Sequence, residues 1–272
     1  MKNAIHMLQS VTDTICNSFL ITTEDGFVIA IDGGYEAETD HFLDYLKNLT
    51  EQERPRIDAW FLTHPHDDHL NNFFEIMEHR PGAVDVGTVY LNFPSKGFFE
   101  GEVGRDDSAA GTMDDFYRVL PRFADRMRIL SGGDTLDIGA AHIRVLYSQD
   151  FEIKDCNNSS LVFRMDLGGH SALFTGDCGA EAGEKILRLW GESGILDCEI
   201  CQMAHHGQNG CARSFYEAVR PQICLWPTPS WLWTNQDGNG PFKTLETRRW
   251  MEELGVRQNL VNKDGDQVVT LD

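Results

Sequence analysis

Ile57-Asp58-Ala59-Trp60-Phe61-Leu62-Thr63-His64-Pro65-His66-Asp67-Asp68-His69-Leu70-Asn71-Asn72 decides how the rest of the chain reads. Residues 57–62 are apolar enough to predict a buried strand. The strand ends in three histidines and two carboxylates within six positions. In extended backbone, residues two apart point the same way. His64 and His66 can therefore share one ion. Asp68 and His69 fall where strand gives way to helix, so they can face a second ion nearby. Imidazole with carboxylate suits zinc, and also manganese or iron.

Outward from this stretch, residues 4–9 and 15–31 predict a hairpin with a turn at Glu24-Asp25-Gly26, and Asp32-Gly33-Gly34 ends it. A helix is expected over 39–49 with Thr39 as N-cap, and a second over 70–79, stopped by Pro81-Gly82. Strands follow at 84–93, 127–130 and 138–146. Residues 94–112 are polar and Gly-rich and read either as a mobile insertion beside the site or as a plain surface loop, with a helix from Met113 to Ala124. The second half repeats the plan. Strands are expected at 161–167, 171–175, 198–204, 222–226 and 267–271, with helices at 180–191, 212–219 and 242–254. Two β-rich halves with helices fit an α/β, four-layered αββα sandwich of two mixed sheets. No linker composition divides the halves, so residues 1–272 are read as one domain.

Two later strand ends carry chemistry. Leu173-Phe174-Thr175-Gly176-Asp177 ends in a carboxylate, and Met203-Ala204-His205-His206-Gly207 ends in paired histidines.

Together these residues resemble the metallo-β-lactamase superfamily, whose signature stands here as His64-x-His66-x-Asp68-His69. The resemblance covers nearly the whole chain. It is nearest to the branch of competence-protein nuclease domains and phosphorylcholine esterases. The resemblance implies a metal set of His64, His66, Asp68, His69, Asp177 and His205, holding one or two zinc ions, or manganese or iron. Asp177 would bridge two ions. Asp32 would support the metal loop from behind. Asp68 would orient or deprotonate a water, and His206 would serve the leaving group. One of the two adjacent histidines is expected to face the site.

The chain also departs from relatives. Asn157-Asn158 stands where many members have a further histidine, so the Asn158 amide is a candidate substitute. No histidine follows His206, and Asn239 stands in the region of a late ligand.

Composition narrows the partners. Lys and Arg total 23 against 43 Asp and Glu, a net charge of −20. Such a surface repels phosphate backbones, so a small-molecule substrate is expected rather than nucleic acid. No apolar run reaches the length of a membrane span, and the first residues do not read as a signal peptide. The seven cysteines read as reduced, buried thiols, which points to the cytoplasm. Trp226, Trp231 and Trp233 form either a core plug or a stacking wall. The expected activity is hydrolysis by a metal-activated water, of a phosphodiester first and a lactone, thioester or β-lactam second. A metal- or ligand-binding domain without catalysis is the alternative.

Overall fold

The structure is a computed structural model that describes residues 1–153, 155–235 and 241–271. Asn239 lies outside the described residues. The chain opens with β1 (Ala4–Met7), β2 (Ser18–Thr22) and β3 (Val28–Asp32), followed by a 3-10 turn and α1 (Thr39–Thr50). Next come β4 (Arg56–Phe61), α2 (Asp67–His79), β5 (Asp85–Leu91), α3 (Lys96–Glu100), α4 (Asp107–Val119) and β6 (Met127–Ile129). The second half runs β7 (Thr135–Ile138), β8 (Ala141–Tyr147), β9 (Val162–Leu167), β10 (His170–Phe174), α5 (Ala180–Trp190) and β11 (Ile200–Gln202). It closes with α6 (Arg213–Val219), β12 (Ile223–Trp226), α7 (Ser230–Thr234), α8 (Thr244–Glu253), β13 (Gln258–Val261) and β14 (Gln267–Thr270).

Two seven-stranded sheets form, ordered β14-β1-β2-β3-β4-β5-β6 and β13-β12-β11-β10-β9-β8-β7. Both are mixed. β3 to β6 run parallel, as do β10 to β13, while the remaining pairs are antiparallel. Alternation in the strands explains the layering. Phe19, Ile29, Ile31 and Phe61 of the first sheet meet Phe163, Met165 and Phe174 of the second in one core. Phe61 stacks on Phe163 at 4.8 Å between ring centroids, and Phe163 stacks on Phe174 at 5.4 Å. The opposite faces carry the helices. Phe42, Leu46, Phe73 and Phe116 cover Trp60 and Val89 on one side. Ile186, Phe215, Val219 and Met251 cover Cys201 and Cys224 on the other. This is the expected αββα sandwich.

Several local expectations are corrected. Thr39 is the first residue of α1, not its cap, because its hydroxyl donates to Asn72 Oδ1 at 3.2 Å. α2 begins at Asp67, so Asp67 and Asp68 lie in its first turn, where carboxylates complement the helix dipole. Residues 94–112 are not a plain loop. Asp106 accepts from Ala109 N–H at 3.0 Å and starts α4 six residues before Met113. The tryptophans divide. Trp226 is fully buried with Trp233 packed edge-on at 5.2 Å, while Trp231 is exposed. Among the described residues no helix is long and apolar enough to cross a membrane. All seven cysteines are free and buried.

Candidate metal centre

Parallel strands place functional loops at their C-terminal ends, where the backbone leaves the ladder. β4 delivers Thr63 to His66 and then α2. β10 delivers Thr175-Gly176-Asp177, and β11 delivers Ala204 to Gly207. Gly176 has φ +52, and a Cβ there would lie 2.9 Å from Ser160 Oγ and 3.1 Å from Thr63 Cβ. Only glycine lets the Asp177 loop approach the His64 loop so closely.

The paired histidines take an uncommon backbone. His205 (φ 52, ψ 52) and His206 (φ 54, ψ 22) are both left-handed, as is Gly207 at φ +75. For the two histidines this backbone costs about 1–3 kcal/mol each and persists when the surroundings over-determine it. The surroundings here do so. His206 Nδ1–H donates to Pro227 O at 2.9 Å, and Thr228 Oγ1–H donates to His206 O at 2.7 Å. The Gly207 site has no room for a side chain, since a Cβ would fall 2.3 Å from the Trp226 ring.

Asp68, His69, Asp177 and His206 form a group whose ligand atoms all lie within 4.8 Å of one another. All four are buried. His206 Nε2 is 2.9 Å from Asp68 Oδ2 and 3.2 Å from Asp177 Oδ2, and His69 Nε2 is 3.2 Å from Asp177 Oδ1. Yet His69 Nε2, His206 Nε2, Asp68 Oδ2 and Asp177 Oδ1 make no aligned hydrogen bond. They crowd one buried space without pairing. Buried polar atoms left this way are costly unless a cation completes them.

His64, His66 and Cys156 form a second such group. His64 Nε2 lies 3.0 Å from His66 Nδ1 and 4.0 Å from Asp177 Oδ2, so the two groups adjoin. His205 stands at the rim. Its Nε2 is 3.8 Å from Asp177 Oδ2 and its side chain is 21% exposed. The geometry thus places His206, not the expected His205, in the four-residue group. The Asn158 amide oxygen accepts from Ala182 N–H at 3.2 Å at the start of α5.

The outer partners fix each imidazole. His69 Nδ1–H donates to Asp32 Oδ2 at 2.6 Å, and His66 Nε2–H donates to Asp106 Oδ2 at 3.0 Å. His64 Nδ1 faces Thr63 Oγ1 at 3.2 Å, and that hydroxyl donates to Asp32 Oδ2 at 2.7 Å. His206 is held through Pro227 as above. In all four rings the nitrogen left over is the one that converges, the arrangement that metal-ligating histidines adopt. Asp106 was missed from sequence because its contact with His66 spans 40 residues; its only local signal was the N-cap pattern Asp106-Asp107-Ser108.

Electrostatics agree. Burial opposes charge on His69 and His206. Asp177 and Asp68 overcome it, holding His69 well above the usual imidazole range and His206 at about 9. Burial likewise opposes charge on Asp177, but His206, His69 and His205 keep it well below the carboxylate range. Burial and the neighbouring His69 push His64 down.

At pH 7 the metal-free group therefore carries protons that a cation must displace. Loading with zinc at pH 7 should release more than one proton per chain, with apparent affinity rising about tenfold per pH unit for each proton displaced until the His206 value is passed. Calorimetry in two buffers of different protonation enthalpy measures this. Loading without proton release would contradict the arrangement.

The comparisons with known proteins follow the same line. The metallo-beta-lactamase superfamily model matches residues 11–213, most of the chain. ComE operon protein 3 of Bacillus subtilis (strain 168) is 23% identical over 180 residues, which is 65% of this chain but 20% of that protein. The chain therefore spans about a fifth of that relative's length. The metallo-beta-lactamase fold protein YhfI of Bacillus subtilis superposes with a TM-score of 0.58 at 11% identity, covering 98% of this chain and 99% of its own. CmlA, a diiron beta-hydroxylase from Streptomyces venezuelae, superposes with a TM-score of 0.55 at 15% identity, covering 99% of this chain and 54% of its own. With the matched span, the sandwich and the converging imidazoles and carboxylates in view, the chain belongs to the metallo-beta-lactamase superfamily.

Proposed function

We propose that the protein is a metal-dependent hydrolase of small phosphodiesters, with a dinuclear centre built on the two adjoining groups. The observation that supports it most is the convergence of four imidazole nitrogens whose opposite nitrogens are all held by outer partners. His64 and His66 would hold one ion. Asp68, His69 and His206 would hold the other, and Asp177 would bridge. A divalent ion here lowers the pKa of its bound water towards neutrality and polarises the target oxygen. Zinc suits the donors. Iron suits them as well, as the diiron neighbour illustrates.

The chain's own groups divide the remaining work. Asp68, fixed in the first turn of α2, orients the attacking water and accepts its proton. His205 takes the leaving-group side that sequence reasoning assigned to His206. It is the more exposed of the pair, and burial keeps its pKa below the usual range, so it acts there by hydrogen bonding. Asp177 holds the two groups together. Two divalent cations, when bound, would outweigh the two carboxylates that hold them, Asp68 and Asp177, and so favour an anionic ester at the site. The net charge of −20 opposes a long nucleic acid while sparing a small substrate that reaches the site alone.

The test is turnover of bis(p-nitrophenyl) phosphate by stripped protein reloaded with zinc, manganese or iron. Metal-dependent turnover that Asp68→Ala removes supports the reading. A chain that binds two ions and cleaves no phosphodiester refutes it and favours a ligand-sensing domain or a lactone or thioester substrate.

A further inference from the structure

We propose that Cys156 is a further protein ligand of the ion held by His64 and His66, beside the bridging Asp177. The two ions would then occupy chemically unlike sites that share Asp177, one with a sulfur donor and one with nitrogen and oxygen alone. This rests on the dinuclear reading above and adds metal discrimination to it.

The thiol is fully buried, and one ligand atom from each of His64, His66 and Cys156 lies within 4.8 Å of the others. Its place is built rather than incidental. Asp155 takes a left-handed backbone (φ 70) and its Oδ1 accepts from Asn157 N–H at 2.6 Å. Ser159 N–H donates to Cys156 O at 2.8 Å, closing the short 3-10 turn that the cysteine begins. Leu161 N–H donates to Thr63 O at 2.9 Å, and Asp177 N–H donates to Ser160 Oγ at 3.0 Å. The segment that carries Cys156 is thus stitched to both ligand loops. Among the described residues, no other cysteine falls in a ligand group of this kind.

The chemistry is distinctive. A bound cation deprotonates a coordinating thiol outright. Thiolate with two imidazoles suits zinc or cobalt and poorly suits manganese or magnesium. The carboxylate-rich group accepts the harder ions. Manganese should therefore enter only the site of Asp68, His69, Asp177 and His206, while zinc or cobalt fills both.

The experiment is cobalt titration of the stripped full chain, read by absorption. On the way to two equivalents the native protein should develop a near-ultraviolet sulfur-to-cobalt charge-transfer band beside the visible ligand-field bands. Cys156→Ser should lose the sulfur band, keep the ligand-field bands of the other site, and hold its first-group ion more weakly by more than the roughly 10–100-fold that an outer-shell change costs. Cys198→Ser, at a buried cysteine outside both groups, should keep the band. Cobalt bound with ligand-field bands but no sulfur band in the native chain overturns the proposal, whatever the variants do. So does a band that survives Cys156→Ser. Failure of the chain to take up any cobalt defeats the metal centre itself, a result visibly different from the first two.

Discussion

Asp177→Asn should give a folded chain that loses its activity by on the order of 10²-fold or more, exceeding the roughly 10–100-fold typical of outer-shell changes. The carboxylate is 2% exposed and touches both groups. Oδ1 lies 3.2 Å from His69 Nε2, while Oδ2 lies 3.2 Å from His206 Nε2 and 4.0 Å from His64 Nε2. Asparagine keeps the shape but brings no charge to hold two cations, and it turns an N–H2 towards one histidine. The backbone bond from Asp177 N–H to Ser160 Oγ survives the change, so the loop should stay in place. Metal content, circular dichroism and turnover measured together decide the matter. Normal turnover with a full complement of metal would show that Asp177 does not bridge.

The second large effect lies behind the site. Asp32 is fully buried at φ 52 and touches no candidate ion. It accepts from Asn17 Nδ2 at 2.8 Å, Thr63 N at 2.8 Å, Thr63 Oγ1 at 2.7 Å and His69 Nδ1 at 2.6 Å. Asp32→Ala leaves all four donors in a dry interior. Removing one partner from such a buried charged network costs about 3–5 kcal/mol. His69 would also lose the contact that fixes its ring, which weakens metal retention by roughly 10–100-fold. Urea unfolding of the metal-free chain isolates the first effect, and metal retention against a chelator isolates the second. A stability loss below about 1 kcal/mol would mean that water or another group already satisfies those donors.

Much of this was legible because the first ligands are contiguous. A strand that ends in His64-Pro65-His66-Asp67-Asp68-His69 carries its own geometry, and the sandwich follows from two runs of strands with helices between them. The unread parts were non-local or broke the period. The choice between His205 and His206 cannot come from strand alternation, because two left-handed residues curl the chain just where alternation would be applied. Cys156 is one of seven cysteines, and nothing near it in sequence marks it as the one beside His64 and His66. Asp106 lay in a stretch read as loop because Gly101, Gly104 and Gly111 flank it, yet α4 carries Gly111 in its interior at the roughly 0.5–1 kcal/mol that a mid-helix glycine costs. β13 escaped because Gln258-Asn259-Leu260-Val261 has one buried residue, and α7 because two prolines precede its five residues.

The four-residue group draws Asp68 and His69 from the first sheet's edge and Asp177 and His206 from the second's. Neither half of the chain owns a complete set. The four-residue set is complete only when the two sheets are packed together, and an ion held there would oppose their separation. Such a cation would act as a clasp on the seam, and its departure would be felt first as a loosening between the sheets rather than within either one.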